Sequence, residues 1–100
     1  MRTLLKRSVD FDSIFAINDS MAFGALEVLA DLKIKVPKQI AIVGFDGVQS
    51  ENSFSQDLTT VSIDIQTICN LLVDKLGKVL SGKSVKSELV PALLLARETA

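Results

Sequence analysis

Ser13-Ile14-Phe15-Ala16-Ile17-Asn18-Asp19 and, after a helical stretch, Ile40-Ala41-Ile42-Val43-Gly44-Phe45-Asp46-Gly47 decide how this chain folds. Each is a short apolar run that stops at a polar pair. Between them, Ala22, Ala25, Leu26, Leu29 and Leu32 recur at helical spacing, so a helix is expected from Ser20 to about Leu32, capped by Asp19 or Ser20. Lys33 to Lys38, with Pro37, closes it. A helix joining two apolar strands makes a crossover unit, which sets the strands parallel with their C-terminal ends together. Residues 13–17 do not alternate, as expected of a strand covered on both faces, and Ile40 to Phe45 reads as a central parallel strand.

Outward from this unit the signals are simpler. Arg2 to about Val9 allows a short helix, and Asp10 to Ser13 a turn. Residues 48–57 are polar and irregular apart from Phe54. Leu58 to Ile63 reads as a third strand. Ile65, Ile68, Cys69, Leu72, Val73, Leu76, Val79 and Leu80 form one face of an amphipathic helix, ended by Gly82 as a left-handed cap. A last strand is expected over about Ala92 to Arg97, with Pro91 just outside it.

The chain has 100 residues, 48% of them hydrophobic, and a net charge of -1. It is long enough for one small domain and too apolar for disorder. The charge gives no general attraction for nucleic acid, and Arg2, Lys6 and Arg7 are too few to form a binding patch. With no His and one Cys, a disulfide framework, a Cys/His zinc site and imidazole base catalysis are excluded within one chain. No metal, no cofactor and no enzymatic activity are therefore expected. Cys69 reads as a small buried apolar residue on its helix. No segment approaches the length of a membrane span, and no secretory apolar region follows Met1, so a cytoplasmic protein with no membrane partner is expected.

In open parallel sheets, ligands bind at the C-terminal ends of the strands. Asn18-Asp19 and Asp46-Gly47 both fall there. An amide supplies a donor and an acceptor, and a carboxylate accepts from two hydroxyls, which suits a polyol, sugar or nucleoside. The structural alternative is that Asp19 caps a helix and Asp46 opens an Asx turn. Gly24 and Gly44 form no phosphate-binding loop. The helix after Asp19 is more apolar than one sheet face requires, since only Ser20, Gly24, Glu27 and Asp31 form a polar strip. Phe23, far from the centre of the apolar stripe, contacts either a neighbouring helix or another surface.

These residues resemble a known family. Ser13-Ile14-Phe15-Ala16-Ile17-Asn18-Asp19-Ser20-Met21-Ala22-Phe23-Gly24-Ala25-Leu26 is similar to its "AIFAxNDxMAxGAL" pattern, and Val36-Pro37-Lys38-Gln39-Ile40 through Gly44-Phe45-Asp46 to "VPxDIxVVGFD". Leu58-Thr59-Thr60-Val61 matches "LTTV", and Pro91 to Thr99 resembles the terminal "PxxLVxRxS". In this order the set resembles the lactose/galactose-repressor (LacI/GalR) family of bacterial transcription regulators, from about Ser13 to the end.

The resemblance implies an α/β fold: part of a periplasmic-binding-protein-like lobe, a mostly parallel sheet flanked by helices. It implies a single partial effector-binding domain, with 1–62 and 84–100 as the C-terminal lobe and 63–83 as a hinge-crossing helix. It also implies that the DNA-binding helix-turn-helix and the N-terminal lobe lie outside this stretch, so that DNA would be met only through that other domain. Asn18 and Asp46 fall on positions that hydrogen-bond a small-molecule effector, and Phe23 and Phe54 on the dimer surface. A fragment of a periplasmic sugar-binding protein of a transporter is the alternative function. Three departures bear on the ligand: Ser62-Ile63-Asp64 stands for a polar-Gln-Pro hinge segment, Gln56-Asp57 for Pro-Pro, and Gly47 for a second Asp. The apolar face from Ile65 to Leu80 is expected to fold back on its own sheet or pack against a second chain, because leaving it in water would forfeit about 1.5–3 kcal/mol per large side chain.

Overall fold

The computed structural model describes residues 1–7, 9–48 and 57–100. In chain order the elements are α1 (Arg2–Leu5), β1 (Ser13–Phe15), α2 (Asp19–Asp31), β2 (Ala41–Asp46), β3 (Thr59–Ile63), α3 (Ile65–Leu80) and β4 (Ala92–Leu95). The sheet order is β1-β2-β3-β4, with β1 parallel to β2 and β2 parallel to β3. The expected mostly parallel α/β fold is therefore present, with β2 central among the parallel strands.

Two compact units divide the chain: Met1–Ser62 with Leu94–Ala100, and Ile63–Leu93. In the first, α2 lies on one sheet face and its stripe forms the core. Ala22, Ala25, Leu26 and Leu29 are buried together with Ala16, Ile40, Ile42 and Leu58. Phe23, Ile34, Val36, Phe11 and Leu5 pack half-buried around them. Leu29 and Ile42 are wholly removed from water, each contributing about 1.5–3 kcal/mol.

The opposite side of β1 is not covered. Phe15 is 66% and Ile17 71% exposed, which corrects the expectation of a strand enclosed on both faces. The reason is that β1 is the edge strand and α2 covers one side only. The surplus apolar arc of α2 is open at Met21, whereas Phe23 is half-buried against the core; Leu32, expected in the buried stripe, is instead the exposed C-cap that follows the helix. The first helix stops at Leu5 rather than reaching Val9; four residues without a side-chain cap cannot propagate.

The chain's last residues fasten the start of the sheet. Thr99 is fully buried; its hydroxyl donates to the Ile42 carbonyl (2.8 Å) and accepts from the Thr59 N–H (2.9 Å). Its carbonyl accepts from the Ile42 N–H at 2.7 Å. Thr99 thus satisfies backbone groups of two strands at once, where an unpaired buried donor would be costly.

In the second unit, α3 has the expected bounds. Asp64 caps it, accepting from the Thr67 N–H (3.1 Å) and the Thr67 hydroxyl (2.6 Å). Gly82 (φ +75°) ends it with the expected left-handed residue, and the Gly82 and Lys83 amides donate back to the Val79 and Lys78 carbonyls. No residue of α3 is buried, and Leu72, Val73, Leu76 and Leu80 are each more than half exposed. Cys69 is exposed as well, contrary to the sequence expectation, because the stripe it belongs to is uncovered in the single chain.

Candidate functional site

Parallel pairing sets Phe15, the end of β1, opposite Val43; three residues further on, the chain reaches Asn18 after β1 and Asp46 at the end of β2. Asp46 is in turn opposite Ser62 of β3. Register alone therefore brings Asn18, Asp46 and Ser62 to one edge, at the C-terminal ends of three adjacent strands.

Asn18 is the N-cap of α2, and its Oδ1 accepts from the Met21 N–H at 2.8 Å. This corrects the assignment of the cap to Asp19 or Ser20: the amide sits where the backbone is still extended, one residue earlier. The cap uses only the oxygen of the side chain. Its Nδ2 makes no hydrogen bond among the described residues.

Asp46 has φ +108°, a conformation that L side chains rarely adopt, and is followed by Gly47 at φ +75°. A Cβ on Gly47 would lie 2.5 Å from Ser62 Oγ and 2.9 Å from Ser62 Cα. Gly47 is therefore fixed both by its backbone angle and by contact with β3. No hydrogen bond of the Asp46 carboxylate is found among the described residues, so the Asx turn is not formed there. Among the described residues, both oxygens of this half-exposed carboxylate are left available.

Asp19, by contrast, is fully buried in the first turn of α2. One oxygen accepts from the Thr60 hydroxyl and the other from the Val48 N–H, both at 2.6 Å. Short charge-assisted bonds and the helix N-terminus make this burial tolerable. Space for it comes from Gly44, where a Cβ would overlap Asp19 Oδ1 and come within 2.9 Å of Leu58 Cδ2. Sequence reasoning missed this set. The available signals were an isolated glycine inside a β-branched strand, which marks a close approach, and an ionisable residue leading an apolar helix.

Phe23 is half-buried at the core margin, and Phe54 lies outside the described residues. Among the described residues no three His, Cys, Asp or Glu side chains come together to hold a metal ion, and no helix is long and apolar enough to cross a membrane.

Over residues 3–100 the chain matches the family described as periplasmic binding protein-like domain. It is 43% identical over 68 residues to the HTH-type transcriptional regulator GalR of Escherichia coli, covering 68% of this chain and 20% of that protein. It is 28% identical over 97 residues to the lactose operon repressor of Escherichia coli, covering 96% of this chain and 27% of the repressor. Among solved structures, the lac repressor dimer bound to operator and the anti-inducer ONPF superposes with a TM-score of 0.85 at 28% identity, over 97% of this chain and 34% of that one. The chain thus spans well under half the length of the curated relatives it matches. It belongs to the periplasmic binding protein-like domain family, and the relatives it matches include LacI/GalR transcription regulators.

Proposed function

We propose that this stretch is the effector-sensing and dimerising part of a sugar- or nucleoside-responsive transcription regulator of the cytoplasm. Residues 1–62 and 84–100 would form the C-terminal lobe and 63–83 the hinge-crossing helix. It carries no catalytic chemistry and reaches DNA only through a separate helix-turn-helix domain. Asn18 Nδ2 donates to an effector hydroxyl, and the Asp46 carboxylate accepts from one or two more. The observation that carries this reading is the level placement of these two groups at adjacent strand ends, each with hydrogen-bonding capacity unused among the described residues. The uncommitted donor and acceptors fit a neutral, hydroxyl-rich ligand better than an anion, since a carboxylate repels negative charge. Phe23 and Phe54 supply part of the dimer surface in this reading.

The test uses the full-length regulator that contains this stretch. Its effector is first found by calorimetry with a panel of monosaccharides, disaccharides and nucleosides. Asp46→Ala is then expected to weaken binding of the best of these by about 10- to 100-fold, the value of hydrogen bonds to a charged acceptor. Unchanged affinity in that variant removes Asp46 from the site. The coding sequence upstream separates the regulator from a transport component, with a helix-turn-helix expected rather than a secretory signal.

A further inference from the structure

Among the described residues Asp19 is the one charged side chain that is fully buried, and effector binding gives it no task. A buried carboxylate is costly to keep, and an apolar residue of the same size would fill the space at less cost. Its two bonds show what the charge is used for. Thr60, the second residue of β3, fixes one oxygen, and the other oxygen accepts from Val48, the second residue after the β2 tip. The strand's last residue, Asp46, and Gly47, which links it to Val48, are both at positive φ. Gly47 adopts such an angle freely, but Asp46 does so at a cost, and a strained backbone persists only where its surroundings hold it. From the other side, Ser62 of β3 lies close enough that a side chain at Gly47 would collide with it.

We propose that Asp19 is the positioning residue of the effector edge: anchored by Thr60, it holds the Val48 N–H and so keeps Asp46 in its left-handed backbone conformation, aiming that carboxylate at the ligand. The proposal rests on the reading of Asp46 as an effector contact, and adds the device that orients it. Gly44 is part of the same device, because any side chain there would displace the Asp19 carboxylate. The grip has one length: Asp19→Glu adds a methylene beside Gly44 and Leu58, where there is no room for it.

The experiment is ¹⁵N NMR of the 100-residue chain, reading two quantities: hydrogen exchange at the Val48 amide and the Asp46 HN–Hα coupling, which follows φ. Asp19→Leu keeps the shape and removes both acceptors. Val48 exchange is expected to rise about tenfold or more, and the Asp46 coupling to move to that of a negative φ, while Leu29 and Ile42 stay protected. Asp19→Asn, which retains one acceptor, is expected to restore the Asp46 coupling. If Asp19→Leu does not fold, Thr60→Val carries the test, because it frees the anchor but fills the core; Val48 exchange is again expected to rise. An unprotected Val48 amide in the unmodified chain, or an Asp46 coupling unmoved in both variants, overturns the proposal. These readings need no ligand, so they fail or hold separately from the calorimetry on Asp46→Ala.

Discussion

Thr99 and Asp19 are the two side chains through which single residues control this sheet, one at each end of the strands. Replacing Thr99 by Val keeps the volume but removes the hydroxyl from the buried Thr59 N–H and the buried Ile42 carbonyl. The expected loss is about 1–3 kcal/mol, read as a lowered urea midpoint with an unchanged slope. A midpoint equal to that of the unmodified chain would show that the Thr99 clasp contributes nothing. The Thr99 role left no signal in the sequence, and that of Asp19 only the indirect one of Gly44. Thr99 follows a short strand and looks like a frayed terminus, while Asp19 looks like any helix-leading carboxylate. What decides both is a partner 40 or more positions away, at Thr60 or Ile42, and local pattern carries no information about such partners. The polar tips themselves were legible, because a strand that stops at Asn-Asp or Asp-Gly announces its own end.

At the scale of elements, periodicity was a good guide wherever the chain makes its own structure. The α3 bounds and the Gly82 cap follow from an eight-residue apolar stripe and a glycine behind it. Its start was less plain, since Asp64 stood out as a departure from a hinge pattern and not as a cap. The structure gives Asp64 that role and, with it, a pH dependence. Hydrogen bonds from the Thr67 hydroxyl and N–H hold its carboxyl below the ordinary aspartate value. A folded pKa below the unfolded one adds stability above the unfolded value, and that stability is lost as pH falls through the folded one. The first turn of α3 is therefore expected to fray on acidification below about pH 4, seen as loss of Thr67 and Ile68 amide protection. Asp64→Ala should show the frayed turn already at neutral pH and lose this acid step. Persistence of the step in that variant would assign it to another carboxylate. The β1 strand shows the opposite case: its unbroken apolar run suggested cover on both faces, yet Phe15 stands open because cover depends on what else is packed there.

For the whole molecule, the apolar surface left open is the main energetic fact. Leu72, Val73, Leu76, Val79 and Leu80 on α3 all lie more than half exposed. Patches of this kind are the surfaces that proteins bring together. The isolated 100-residue chain is expected to self-associate, with a sedimentation profile that shifts with concentration. Cys69, on the same stripe, should then alkylate more slowly as concentration rises. A monodisperse monomer with a fully reactive thiol at every concentration would contradict this. The sheet also has a polarity that bears on how the chain is handled. Thr99 clasps β2 at Ile42, four residues before Asp46, so the two lie about 13 Å apart along the strand. A dye or surface linker attached beyond Thr99 would leave from the clasped end. An immobilised chain would then stand with its Asn18 and Asp46 edge turned toward the bulk solution, the orientation that a sensor surface needs.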